Sequence, residues 1–103
     1  MKTKIRFLPQ ARQQVAAAHK YLRQHSPAAA ARFLGDLKSA CGQLARFPAS
    51  GHYIPEFPDL PHRQLIAGNY RVFYLHSAGA IYIAAVWHGA QLPELPARHA
   101  SAG

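Results

Sequence analysis

The side chains able to do chemistry in this chain form a small set. Seven histidines, at positions 19, 25, 52, 62, 76, 88 and 99, are the first candidates for holding a metal or moving a proton. None of them pair at i, i+2 or i, i+4, and no acid stands beside a histidine. With Cys41 the only cysteine, this spacing predicts no metal site and no internal disulfide. The serines at 26, 39, 50, 77 and 101 fall in a cap, a helix, a loop, a turn and a tail, and none stands in a Gly-x-Ser-x-Gly elbow. Gly51, Gly68, Gly79 and Gly89 are isolated turn residues, not a phosphate-cradling loop. No cofactor is expected.

What remains is a basic and aromatic cluster near the C-terminal end: Arg63, Tyr70, Arg71, Tyr74, Trp87 and His88. In an extended strand the side chains alternate, so Tyr70, Val72 and Tyr74 share one face while Arg71, Phe73 and Leu75 share the other. Arg71 therefore either emerges at a strand end or pairs with an acid in the interior. Arg63 follows the loop residue His62 and is expected to be more exposed. His88, backed by Gly89, is a titratable imidazole at a rim, suited to proton transfer or partner contact; a plain exposed histidine fits there equally well.

The elements that position this cluster can be read from period and punctuation. Lys4 to Leu8 alternates and predicts a strand, ended by Pro9. Gln10 opens a helix to about Gln24, with Ala11, Val15, Ala18 and Leu22 on one stripe. Ser26-Pro27 restarts the chain with a capping residue followed by proline. A second helix from Pro27 to about Phe47 carries Ala30, Phe33, Leu34, Leu37, Ala40, Cys41, Leu44 and Phe47 at helical spacing. The short break between the two predicts an antiparallel helical hairpin, with Leu37 in the core and Cys41 a buried, inert thiol. Pro48 to Pro61 reads as loop. Three strands follow, at Arg63 to Ile66, Tyr70 to His76 and Ile81 to Trp87, joined through Gly68-Asn69 and Ser77-Ala78-Gly79-Ala80. Segregated strands and helices argue an α+β fold of order β-α-α-β-β-β, with the hairpin packed on one face of a mainly antiparallel sheet. The opposite face is expected to be open. Residues 1–92 form one domain in this reading, with 93–103 a flexible tail.

Charge narrows the choice of partners. Twelve Lys and Arg oppose four acids, Asp36, Glu56, Asp59 and Glu94, for a net charge of +8. This imbalance favours RNA, DNA or an acidic protein, and eight of the twelve cations are Arg, the residue of geometry-dependent contacts. No apolar run is long enough to span a bilayer, and no apolar stretch of a secretory signal follows Met1-Lys2-Thr3-Lys4. A cytoplasmic protein with no membrane association is expected.

The ordered motifs resemble those of RelE/ParE-type toxins over about residues 4 to 92, and are closer to the ParE branch. They include Pro9 with Ala11, Tyr21-Leu22, Ala31-Arg32-Phe33 with Leu37, and Leu44-Ala45-Arg46-Phe47-Pro48-Ala49-Ser50-Gly51. Further on come Leu60-Pro61-His62-Arg63, Asn69-Tyr70-Arg71-Val72-Phe73-Tyr74 and Val86-Trp87-His88-Gly89-Ala90. The resemblance implies the toxin of a type II toxin–antitoxin pair, neutralised by a cognate antitoxin of ParD-like or similar type that is encoded beside it. Operator DNA would be bound only through the antitoxin. ParE-like members poison DNA gyrase; RelE-like members are ribosome-dependent endoribonucleases that cut messenger RNA.

Several features depart from the ribonuclease pattern. The segment from Pro48 to Pro61 holds no Lys or Arg, and no tyrosine follows His88. A minimal nuclease would need Glu56 as base, Arg63 and Arg71 as phosphate clamps and His88 as acid. Trp87-His88-Gly89-Ala90 looks more like the ParE branch. The expectation is a gyrase-inhibiting toxin without a catalytic site, whose contacts to target or antitoxin come from Arg63, Tyr70, Arg71, Tyr74, Trp87 and His88.

Overall fold

The computed structural model describes residues 3–89; the expected tail at 93–103 lies outside them. The elements run β1 (Lys4–Phe7), α1 (Pro9–His25), α2 (Pro27–Arg46), β2 (His52–Tyr53), β3 (Arg63–Ala67), β4 (Tyr70–Ser77) and β5 (Ala80–His88). Pro9 is itself the first helical residue, where its missing N–H costs nothing, and Leu8 is the cap. Ser26 ends one helix and starts the next. Its backbone N–H donates to Leu22 O at 2.7 Å, and its hydroxyl accepts from Ala29 N–H at 3.2 Å, so a single residue reverses the chain.

The five strands form one sheet in the order β1-β5-β4-β3-β2. The pair β1–β5 is parallel and all others are antiparallel. Both helices lie on one face, giving the expected α+β layers. Beneath them Phe33, Leu37, Ala40 and Leu44 of α2 meet Val72, Tyr74, Ile81, Ile83 and Val86 of the sheet. From α1 only Ala11 is fully buried; Val15, Ala18 and Leu22 pack against the core from the side. Two positions of the predicted stripe are exposed instead, Leu34 at 41% and Phe47 at 62%. Leu34 is turned about 100° from Phe33 and falls at the edge of the buried stripe. Phe47 is the capping residue with φ −132° and ψ 77°, so it no longer follows the helical period.

A bulge decides which residues of β5 reach the core. Phe73 pairs with Ala85 but Tyr74 pairs with Ile83, leaving Ala84 as the extra residue. Ile81, Ile83 and Val86 thereby all face the helices, while Ala85 and Trp87 face away. β1 accompanies β5 only to Ile83. Beyond it the side-chain carbonyl of Gln14 accepts the Val86 N–H at 2.7 Å, satisfying a ladder group that strand pairing leaves open.

The far face of the sheet is not bare, as the sequence suggested. Ile54 and Phe57 of the proline-rich segment fold onto it and join Phe73, Ala85 and Trp87 in a second, smaller cluster. Covering Phe73 and Trp87 removes from water an apolar patch that would otherwise stand exposed. The same segment contributes the short strand β2, too brief to show a period in the sequence.

Two turns make the meander. Gly68 has φ +61°, and a side chain there would run into the Asp36 carboxylate, so glycine suits both backbone and space. In the β4–β5 turn, Ala78 and Gly79 have φ +52° and +78°, the two-residue loop whose favoured sequence is Asn-Gly. Alanine in the left-handed region costs about 1–2 kcal/mol. Ala78→Asn should therefore raise stability by about 1 kcal/mol, whereas Leu37→Ala should lower it by about 2–5 kcal/mol. Urea denaturation of both variants checks the pair, and unchanged midpoints would contradict both assignments.

Candidate interaction surfaces

Tyr74 anchors the chain where it leaves α2. The ring is fully buried; its hydroxyl donates to Pro48 O at 2.8 Å and accepts from Gly51 N–H at 2.9 Å. Burial holds this phenol above its ordinary range, against the opposing effects of the Gly51 hydrogen bond and the Arg63 charge. A Cβ on Gly51 would come within 2.6 Å of Gln64 O and of the Tyr74 hydroxyl, so only glycine fits the approach. Tyr74, one of the candidate contact residues, is thus fully buried in this structure.

Arg63 extends outward from the same corner. Nη1 donates to Gly51 O at 3.0 Å and Nη2 to the Tyr53 hydroxyl at 3.3 Å. The guanidinium also lies 4.3 Å from the Tyr53 ring centroid, a cation–π geometry. Tyr53 and Phe47 are 57% and 62% exposed. Neither aromatic was singled out from the sequence: Tyr53 sat in a segment read as loop, and Phe47 was assigned to the core.

Arg71 resolves toward the paired alternative. Nη1 and Nη2 donate to the two carboxylate oxygens of Glu56 at 3.1 and 2.8 Å, and Nε donates to Gln64 Oε1 at 2.7 Å. Its side chain is only 12% exposed, and its donors are directed to Glu56 and Gln64. It fastens the proline-rich segment across the far face. Gln64, the third member, carried no sequence signal because its meeting with Arg71 depends on the β3–β4 register. The guanidinium, with the backbone N–H of Glu56 second, holds the Glu56 carboxyl below its usual range.

His88 lies on the other side of the sheet. It pairs with Tyr70 across β4 and β5, its ring edge-on to Tyr70 at 5.2 Å, and the Tyr70 ring in turn lies tilted against Phe33 at 4.6 Å. The Tyr70 phenol is raised, first by burial and then by Tyr21. A cleft of about 420 Å³ opens here between α1 and the end of β5, lined by Gln14, Tyr21, Tyr70, Trp87 and His88 among others. Trp87 also packs into the far-face cluster; its Nε1 is buried with no hydrogen-bond partner. Cys41 is partly buried and its thiol is raised by that burial.

The four residues of the minimal nuclease are therefore divided. Glu56 and Arg71 are bonded to each other on the far face, His88 stands on the hairpin face, and Arg63 belongs to the Tyr53 corner. Among the described residues no group of three His, Cys, Asp or Glu could hold a metal ion, and no helix is long and apolar enough to cross a membrane. An apolar groove of about 550 Å³ lies on the hairpin, lined by Phe7, Val15, Leu34 and Leu37, with Arg12 and His19 supplying polar groups.

Two helices on a five-stranded sheet, with an apolar groove on the hairpin and a cation–aromatic corner at the opposite sheet edge from β1, define a small α+β protein. The family model described as the ParE toxin of the type II toxin–antitoxin system parDE matches residues 5–93. The chain belongs to this family, and an antitoxin partner follows from that membership. Among solved structures, it is similar to a chain of the chromosomal ParDE toxin–antitoxin system from P. aeruginosa, with a TM-score of 0.71 and 12% identity. That match covers 84% of this chain and 96% of the other. No curated protein sequence matches the chain.

The Glu56–Arg71 pair sets a pH dependence. A carboxyl whose pKa is lowered in the fold contributes stability that is fully present above its unfolded value, near 4.5, and is lost as pH falls through the folded value. Because the Glu56 side chain is 41% exposed, the contribution is at most about 1 kcal/mol. Glu56→Gln should therefore lower stability slightly at neutral pH, and its deficit should shrink below pH 4.5. Thermal melts of both proteins across this range check it; a constant deficit would show that the carboxylate's charge contributes nothing.

Proposed function

We propose that this toxin acts by surface contact on DNA gyrase, in the cytoplasm, and is silenced by a ParD-like antitoxin seated in the hairpin groove. The observation that carries the contact mechanism is the separation of the candidate acid and base. Attack of a 2′-hydroxyl on phosphate needs a base and an acid within reach of one reacting centre. Glu56 is held as a carboxylate by Arg71, and His88 stands on the opposite face of the sheet. Membership of the ParE family supports gyrase as the target, and the apolar groove on a chain of charge +8 suits an acidic, amphipathic antitoxin segment. The antitoxin would bring operator DNA to the complex.

The test combines growth arrest on induction with gyrase supercoiling and ribosome-dependent messenger cleavage by purified protein. The expected result is inhibited supercoiling, no cleavage, and full toxicity in Glu56→Gln, where a lost general base would cost about 10²–10⁴ in rate. Messenger cleavage by the wild type, abolished in Glu56→Gln and His88→Ala, would replace this reading with the ribonuclease one. The product of the adjacent antitoxin gene should co-elute with the toxin and raise its melting temperature; separate peaks at micromolar concentration would refute the pairing.

A further inference from the structure

We propose that the corner formed by the end of α2 and the β2–β3 edge is the surface through which the toxin grips its target, and that it fits an acidic protein surface. This rests on the contact mechanism proposed above and names the part of the molecule that performs it. Large apolar side chains exposed by more than half are few among the described residues: Tyr21, Phe47, Tyr53 and Ile66. Two of these four, Phe47 and Tyr53, belong to this corner; Ile66 lies further along β3 on the other face of the sheet, since it pairs with Arg71 while Arg63 pairs with Tyr74. Nothing in the fold requires the exposure of Phe47 or Tyr53. Neither fills the core, and a polar residue at either place would leave the Tyr74 anchor intact.

Preorganisation separates this corner from an incidental patch. The Arg63 guanidinium is held by Gly51 O and by the Tyr53 hydroxyl and lies over the Tyr53 ring. A partner carboxylate would meet a cation whose rotamer freedom is already lost, set beside exposed aromatics. Arg, Tyr and other aromatic residues are the types that dominate interface energetics. The edge of β3 adds backbone groups, because β2 pairs only with Arg63 and Gln64 and leaves Leu65 to Ala67, paired with β4 on one side, without a strand on the other among the described residues.

Charge indicates the class of partner. Arg46 and Arg63 are the cations here and His52 is exposed beside them; of the two acids in the preceding loop, Glu56 is committed to Arg71 and Asp59 is exposed. Two copies meeting at this corner would oppose like charges. A nucleic acid would call for a continuous cationic track, but the two arginines here stand with the exposed rings of Phe47 and Tyr53. An acidic protein surface with an apolar recess suits both the cations and the exposed rings of Phe47 and Tyr53. The hairpin groove lies elsewhere, so toxin and antitoxin can still associate when this corner is altered.

The experiment compares Phe47→Ala, Tyr53→Ala and Arg63→Glu with Arg23→Glu, which makes the same charge change on the exposed side of α1. Growth arrest is the first readout, since it does not depend on which protein is the target, and supercoiling inhibition by purified toxin is the second. Each corner variant is expected to raise the toxin level needed for half-maximal arrest by about tenfold or more. Arg23→Glu should change it little. Phe47→Ala and Arg23→Glu should keep their melting temperature. Tyr53→Ala and Arg63→Glu, which lose contacts around Arg63, are scored at a temperature where circular dichroism shows them folded. All four should still bind the antitoxin. Full toxicity in Phe47→Ala and Tyr53→Ala would overturn the proposal. So would equal losses in Arg63→Glu and Arg23→Glu, which would reduce the effect to net charge. Loss of antitoxin binding in folded corner variants would give the surface to the antitoxin instead. A wild-type dimer dissolved by Phe47→Ala, or single-stranded DNA binding lost in the same variants, would assign it to a second copy or to nucleic acid. If the wild type arrests growth without inhibiting supercoiling, the gyrase assignment fails while the arrest data still judge the corner.

Discussion

A phenol buried against a sheet brings its hydroxyl into surroundings where an unmet hydrogen bond costs about 1–3 kcal/mol. Tyr74 meets that requirement with Pro48 O and Gly51 N–H, and most of the surface architecture follows from this choice. It fixes where the chain leaves α2 and presses Gly51 against the sheet, so that β2 starts beside β3. From there Gly51 O orients Arg63, Tyr53 lies beneath the guanidinium, and the proline-rich segment is directed back across the far face. The core residue and the exposed corner are thus parts of one hydrogen-bonded unit.

Strand alternation does the rest of the sorting. Period two sends Tyr70, Val72 and Tyr74 toward the helices and Arg71 and Phe73 away from them, and the bulge at Ala84 keeps β5 in step with this division. The outcome for chemistry is decisive, because His88 travels with Tyr70 and Glu56 is drawn to Arg71. Residues close together in the sequence are placed on opposite sides of a sheet. A bidentate carboxylate–guanidinium pair serves well as a clasp, and the same contacts that hold the segment down keep Glu56 ionised and occupied.

Electrostatics and apolar exposure act at different places on the molecule. A net charge of +8 favours encounter with any acidic partner but does not specify one. The specific features are local: an apolar groove on the hairpin and an Arg held over an exposed Tyr at the β2–β3 edge. The two features lie apart on the molecule, at opposite edges of the sheet.

The amino-acid sequence alone determined every element but β2, and also the packing of the hairpin on one face of the sheet. Proline, serine and glycine punctuate the chain, the α2 stripe of Phe33, Leu37, Ala40 and Leu44 has one period, and the meander strands have another; these are local signals, carried by neighbouring residues. The ordered motifs from Pro9 to Gly89 also carried the family resemblance. Tertiary structure decided everything that depends on register and on long-range closure. The parallel partnership of β1 with β5 joins residues more than seventy positions apart, as in Lys4 with Ala80, and no local pattern encodes it. Arg71 looked free to face either an acid or a partner until the β3–β4 register brought Gln64 to it and Ile54 and Phe57 carried Glu56 across the sheet. Phe47 and Tyr53 were invisible as surface features because exposure is a property of what the rest of the chain leaves uncovered. Side-chain period is written in the sequence; which side chains remain facing water is settled only when distant segments pack.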